Sequence, residues 1–282
     1  MSVQYQATLR ESISFEGVGL HTGAASRVEL SPAASGTGLV FVLPGDVRIP
    51  ALAEYVVETA RATVIGKDGF TVSTVEHLLA ALFGMGVDNA HITIEGPEVP
   101  VIDGSAKAFA DRIAQVGTVA QNVVRATFAP SSPQFFRDGD RTIILLPSAQ
   151  FRVRFVADFA PPVGTQLFDG EITPEFFLEE IAPARTFGYL HEVEALIKRG
   201  LAKGGTLENA VVFAPDGPMQ PLRWPNEVVR HKVLDLMGDF ALLGAYPQCE
   251  IVAIKSGHRL HCLVTSELRK QVAHSLQSAK VR

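Results

Sequence analysis

From Val228 to Leu243 the chain reads as one helix whose apolar residues, Val228, Leu234, Leu236, Phe240 and Leu243, do not keep to a single stripe. A helix of that kind is largely buried, so the fold has to be built around it. Yet the same helix carries His231 and Asp235 four residues apart, with Asp239 four further on. Positions i and i+4 share one helical face, with Cβ atoms about 6 Å apart, so an imidazole and a carboxylate there can grip one small ion. Buried His and Asp need partners in any case. The competing reading is a solvated face beside Glu227, Arg230 and Lys232 with ordinary i,i+4 pairing. Zinc suits these ligand types, and a catalytic zinc asks for a third protein ligand from elsewhere in the chain.

The 282 residues are 47% hydrophobic and 20% charged, the balance of a compact folded protein of one large or two ordinary domains. A net charge of −5 argues against a nucleic-acid footprint, which needs a basic face. Cys249 and Cys262 form no CxxC pair and no disulfide framework, and Cys262 is expected in a strand as a small buried hydrophobe. The stretch Met1–Arg10 lacks the apolar core of a secretory signal, and no run of 18 apolar residues exists, so a cytoplasmic protein without a membrane span is expected.

Two halves read alike. In the first, Ser26–Leu30 and Gly38–Leu43 are strand-like, and Arg61–Ile65 and Phe70–Thr74 flank a hairpin turn at Asp68-Gly69. Val75–Phe83 is helical, Ala90–Ile94 a strand and Ala106–Val116 a second helix. Periodicity fades from Gly117 to about Asp140, which places a domain boundary near residue 125 and gives domains 1–125 and 126–282. In the second half, Arg141–Pro147 and Phe151–Phe159 are expected to pair as a hairpin, and Leu190–Arg199 and Val228–Leu243 are helices. Glu250–Lys255 and Leu260–Val264 are expected as strands split by Ser256-Gly257-His258, before a last helix at Ser266–Gln277. Strands, helix, strand, helix, twice over, predicts two α+β domains of similar plan with a site between them.

Other residues carry possible chemistry. His77 lies in the first turn of its helix beside Glu76, facing a cleft in one reading. In the other, Ser73-x-x-Glu76 is merely a capping box. His258 sits in a turn where an imidazole suits general acid work, and Asp239 could orient it; the alternatives are a surface turn His and a surface carboxylate. His261 reads as a surface turn histidine. Gly17-Val-Gly-Leu-His21-Thr-Gly23 lacks the third glycine and the βαβ context of a dinucleotide motif, so a tight turn beside a cleft fits better. There is no P-loop and no nucleophile elbow.

Seven segments stand in order along the chain: Gly17–Gly23, Thr74-Val-Glu76-His77-Leu, Pro97-Glu-Val-Pro-Val-Ile-Asp103-Gly-Ser105, Ala184-Arg-Thr186-Phe187-Gly188, Lys203-Gly-Gly-Thr-Leu-Glu-Asn209-Ala, Arg230–Asp239 and Lys255-Ser-Gly-His258-x-Leu260. Together they resemble the UDP-3-O-acyl-N-acetylglucosamine deacetylases of lipid A biosynthesis. The resemblance implies two α+β domains packed as a β-α-α-β-like sandwich with the active site between the layers. It implies one catalytic Zn²⁺ held by His77, His231 and Asp235, with Glu76 as general base, His258 as general acid and Asp239 orienting it. Thr186 would help polarise the carbonyl, Lys232 and Phe187 would lie near the nucleotide sugar and its phosphates, and an insert near 190–205 would form a passage for the acyl chain. The implied reaction is loss of acetate from UDP-3-O-(3-hydroxyacyl)-N-acetylglucosamine, by a monomer with no nucleic-acid partner and no stable membrane insertion. Other classes are a zinc amidohydrolase with a different N-acyl substrate and a non-catalytic nucleotide-sugar-binding relative. The latter predicts loss of a member of this residue set, and none is lost. Thr206 and Glu208 stand where the family often has Ser and Asp, and Arg61-Ala62-Thr63 lacks a cysteine that some members carry near the metal.

Overall fold

The computed structural model describes residues 4–280. Two five-stranded sheets flank a layer of helices. In the first half, the hairpin Ile13–Val18/Ala25–Pro32 and the hairpin Leu39–Leu43/Val47–Pro50 are separated by Ala90–Glu95, which runs antiparallel to the former and parallel to the latter. The second half repeats this order: Gln134–Asp138/Arg141–Pro147 and Arg152–Asp158/Thr165–Glu171 flank Cys249–Ile254 in the same two senses. Each inserted strand buries alternate residues, Ala90, Ile92 and Ile94 in one and Cys249, Ile251 and Ala253 in the other, against a core continuous across both halves.

Before each inserted strand comes a helix, α1 (Glu76–Gly84) and, much later, α5 (Glu227–Ala241). After each comes another, α2 (Lys107–Val116) and α6 (His258–Lys280). Two further helices, α3 (Pro174–Phe176) and α4 (Leu190–Lys198), belong to the second half alone. α5 lies across Arg152–Asp158 and Thr165–Glu171 and packs its other side on α1. That crossing is close: a Cβ on Gly238 would stand 2.1 Å from the Glu76 carbonyl oxygen, so only glycine fits there. α5 is therefore enclosed by protein, as its all-round apolar composition requires, and its residues Val233, Leu234, Leu236, Met237 and Phe240 are fully buried.

Two expectations fail for identifiable reasons. Arg141–Pro147 and Arg152–Asp158 do not pair, because Cys249–Ile254 inserts between them. Their four-residue link can reach roughly 14 Å, more than the two strand spacings of about 4.8 Å that it has to cross. Leu260–Val264 is not a strand but part of α6. The alternation of Leu260, Cys262 and Val264 hid a four-residue period, Leu260, Val264, Leu268 and Val272, which is the stripe α6 buries. The pattern-poor stretch after Gly117 contains Thr118–Val124, which pairs antiparallel with Tyr5–Leu9. That strand is largely exposed, so no one-sided alternation marked it.

Elsewhere the expected elements stand within a few residues, including the hairpin tip, where Asp68 (φ 52°) and Gly69 (φ 85°) both take left-handed conformations. Met1–Val3 and the last two residues lie outside the described residues.

Candidate active site

The contact of α1 with α5 brings three ligand types together. His231 Nε2 lies 3.3 Å from Asp235 Oδ1, the i,i+4 pair expected on one face, and His77 Nε2 lies 3.9 Å from the same oxygen. The three side chains are buried, and their ligand atoms all lie within 4.8 Å of one another. A tetrahedral zinc with bonds of about 2.1 Å separates its ligand atoms by roughly 3.4 Å, so this triangle is slightly open but fits one ion. Protonation suits it too. His231 Nδ1 donates to the Ala184 carbonyl at 3.0 Å, which leaves the Nε2 lone pair facing the cluster. Burial, helped by the neighbouring His231, pushes His77 down to about 3, and burial likewise lowers His231, so both rings are neutral. Burial opposes ionisation of Asp235, but the charges of Lys232 and His258 outweigh it and hold the carboxyl well below the usual range.

Ala184 is placed by an ion pair that the sequence reading passed over. Arg185 donates through its backbone N–H and its Nε to Glu227 Oε1, at 3.1 and 2.9 Å, tying this segment to the first turn of α5. The next residue, Thr186, donates its N–H to Gly104 O at 2.7 Å and accepts from Val211 N. A Cβ on Gly104 would lie 1.8 Å from Asn209 O, so three of the motif segments interlock here. The Gly17–Gly23 loop is gathered by the buried Glu98, which accepts from the backbone N–H groups of His21 and Thr22 and from the hydroxyls of Thr22 and Thr74.

Beside the triangle stand a buried carboxyl and an imidazole. Glu76 does not close a capping box; its Oε2 accepts from the Thr63 N–H at 3.0 Å, and no side chain caps α1. Its Oε1 lies 3.9 Å from His258 Nε2. Burial raises Glu76 to about 8, with His258 opposing and Asp235 and Asp239 adding repulsion. His258 is the first residue of α6, not a strand-to-strand turn, and its Nδ1 donates to Asp239 Oδ2 at 2.8 Å. Burial alone would depress it, but Asp239, Asp235 and Glu76 outweigh that and lift it to about 9. Asp239 is fully buried; burial acts to raise it, and His258 and His261 together bring it down to about 2.

His261 is a correction. It is 0% exposed, with Nδ1 2.8 Å from Asp239 Oδ2 and Nε2 2.9 Å from Ser256 Oγ. Thr63 was likewise missed, and its hydroxyl donates to Asp239 Oδ1 at 2.5 Å. The helical spacing of His258 and His261 is the signal that marks it, and the strand-like alternation of Leu260, Cys262 and Val264 masks that spacing.

Two recesses adjoin the cluster. One, of about 360 Å³, runs from Thr186 and Phe187 between Leu20, Val193, Leu196, Leu207 and Val212, with α4 as one wall. The other, of about 330 Å³, gathers Lys232, Lys255, Arg141, Phe159 and Gly257. The Lys232 Nζ lies 2.6 Å from Asp235 Oδ2, so its charge is shared between this recess and the Asp235 carboxylate. The Phe187 ring meets His231 and Phe159 edge-on, at centroid distances of 6.1 and 5.1 Å. A larger cavity of 770 Å³, lined by Gln6, Phe83, Arg125 and Tyr246 among others, shares no residue with the cluster.

A family model described as UDP-3-O-acyl N-acetylglycosamine deacetylase matches residues 6–270. The chain belongs to that deacetylase family. A protein of a Nostoc species named UDP-3-O-acyl-N-acetylglucosamine deacetylase is 47% identical over 266 residues, covering 91% of this chain and 95% of its own. Proteins of the same name from Geotalea uraniireducens and Myxococcus xanthus are each 44% identical, over 96% and 98% of this chain and 91% and 90% of theirs. In this member of the deacetylase family, the buried His77–His231–Asp235 triangle offers donors that could hold a metal ion, and Glu76 and His258 stand beside it, 3.9 Å apart. Among the described residues, no helix is long and apolar enough to cross a membrane.

Proposed function

We propose that the chain removes acetate from the 2-acetamido group of UDP-3-O-(3-hydroxyacyl)-N-acetylglucosamine, the amide hydrolysis of lipid A biosynthesis, with one Zn²⁺ held by His77, His231 and Asp235. The observation that carries this reading is a buried triangle of two neutral imidazoles and one ionised carboxylate, adjoining a carboxyl and an imidazole set 3.9 Å apart. When bound there, the ion would acidify water and polarise the acetyl carbonyl.

The protein's own groups supply the rest. Glu76, ionised, takes a proton from the attacking water. His258, protonated, gives a proton to the departing amine, which leaves poorly without one. The two roles need opposite protonation states, so they fall to separate residues, and Asp239 keeps the His258 ring oriented and charged. Thr186 is assigned a hydrogen bond to the developing oxyanion, where fixed donors count most. The recess along α4, in the 190–205 insert, takes the acyl chain, and its lining is mostly apolar as such a ligand needs. Lys232 faces the phosphates from the second recess, with Phe187 alongside the nucleotide sugar. We further assign a division of the chain near residue 125, action as a monomer and a cytoplasmic setting.

Mass-spectrometric detection of acetate from the acylated nucleotide sugar, with and without a chelator, tests the whole. Chelator-sensitive release is expected. Release that survives metal stripping would remove the metal from the reaction, and absence of release from this substrate alone would favour a different N-acyl group.

A further inference from the structure

We propose that His261, backed by Ser256, is a positioning residue for the hydrolysis: it locks the Asp239 carboxylate from which the general acid His258 hangs. This rests on the deacetylase reading above. Asp239 is fully buried, so its charge depends on protein donors. Three reach it. The Thr63 hydroxyl donates to Oδ1 at 2.5 Å, while the Nδ1 atoms of His258 and His261 both lie 2.8 Å from Oδ2. His258 and His261 are three residues apart in the first turn of α6 and so share the face turned to α5. Oδ2 is thereby clamped between two ring N–H groups, and rotating the carboxylate would break both bonds at once.

The tautomer follows from the partners. A nitrogen facing a carboxylate has to carry a proton, so His261 Nδ1 is the donor. Burial lowers the His261 pKa and keeps the ring neutral. Its Nε2 then carries a lone pair and accepts from the Ser256 hydroxyl at 2.9 Å. Ser256 is itself buried, Phe155 stands edge-on to the His261 ring at 6.4 Å, and the Thr265 hydroxyl donates to the His261 carbonyl at 2.8 Å. The ring is therefore held at both nitrogens, by an aromatic neighbour and through its backbone. A neutral donor suits this place better than a lysine or arginine would. It fixes Asp239 geometrically without competing with His258 for the carboxylate's charge.

The test separates positioning from mere filling of space. His261→Leu removes the donor but keeps bulk, and His261→Asn keeps an N–H near the Nδ1 position. Loss of a group that orients a working side chain typically costs about 10- to 100-fold, so kcat of His261→Leu is expected to fall by about that factor. Its KM should stay within about twofold, since His261 reaches neither proposed substrate recess, and metal content should be unchanged. His261→Asn should regain most of the loss. A His261→Leu enzyme of near-normal kcat, an Asn variant no better than Leu, or a loss carried mainly in KM would each overturn the proposal. Should His261→Leu not fold, Ser256→Ala decides: it frees the ring to turn, and an unchanged kcat in that variant also overturns the proposal. A wild-type protein that releases no acetate would instead sink the deacetylase reading, so the two failures are distinct.

Discussion

The two halves share a strand order yet carry very different chemical loads. In the first, α1 contributes Glu76 and His77 from one turn, and the helix after the inserted strand, α2, contributes nothing to the cluster. In the second, α5 contributes His231, Asp235 and Asp239, and α6, which follows the corresponding strand, opens on His258 and His261. The insertions before the central helices differ as well. The first half has the small sheet Val56–Glu58, Val64–Lys67 and Phe70–Val72, whereas the second has α4 and the strands that wall the apolar recess. A repeated architecture has thus been loaded unequally. One half supplies Glu76 and His77, and the other supplies His231, Asp235, Asp239, His258 and His261. Neither half alone contains the whole cluster.

The sharpest way to break this division is to remove a ligand from the heavily loaded half. Asp235→Ala leaves two imidazoles with no anionic partner, so metal content should fall to near zero and activity with it; full occupancy by elemental analysis would refute the ligand set.

Next come the proposed acid and base, one from each half. Glu76→Gln and His258→Gln should each lower kcat by about 10²- to 10⁴-fold with metal retained. They should also erase opposite limbs of the pH profile. Glu76 works ionised, so activity is lost as pH falls through its pKa, which is about 8 without the ion and lower once a cation sits beside it. His258 works protonated, so activity is lost as pH rises through about 9. Should both variants alter the same limb, the assignment of roles is wrong.

A third change attacks the contact between the halves rather than either load. Gly238→Ala drives a Cβ into the Glu76 backbone, and overpacking of this sort costs about 1–3 kcal/mol or somewhat more. The melting temperature should drop and metal affinity with it; a wild-type melting curve would show that the helices can slide apart freely.

The mildest effect is expected at Lys232, where loss of one charged hydrogen bond to a phosphate should raise KM about tenfold in Lys232→Ala. An unchanged KM would leave Lys232 as a partner of Asp235 alone.

Much of this was legible from particular residues. Helix geometry alone put His231 and Asp235 on one face, and the apolar sides of the same helix foretold its burial. The motif segments singled out His77, Glu76 and His258, which the fold brings beside that face. Other features lay outside local pattern. Leu260, Cys262 and Val264 alternate as a strand would, and only the partner helix made the four-residue stripe the operative one. Arg185 and Glu227 look like ordinary charged residues until burial forces them together.

By itself, then, the sequence determined the spacing of ligands within a helix, the strand-and-helix rhythm of both halves and membership of a deacetylase family. Those are properties of local geometry and of matching residues along the chain. Only the tertiary structure decided that Cys249–Ile254 parts two neighbouring hairpins, that Thr63 and His261 converge on Asp239, and that His77 meets His231. These contacts join residues far apart in sequence, and they are selected by the collective burial of both sheets against one layer of helices, which no short stretch of chain encodes.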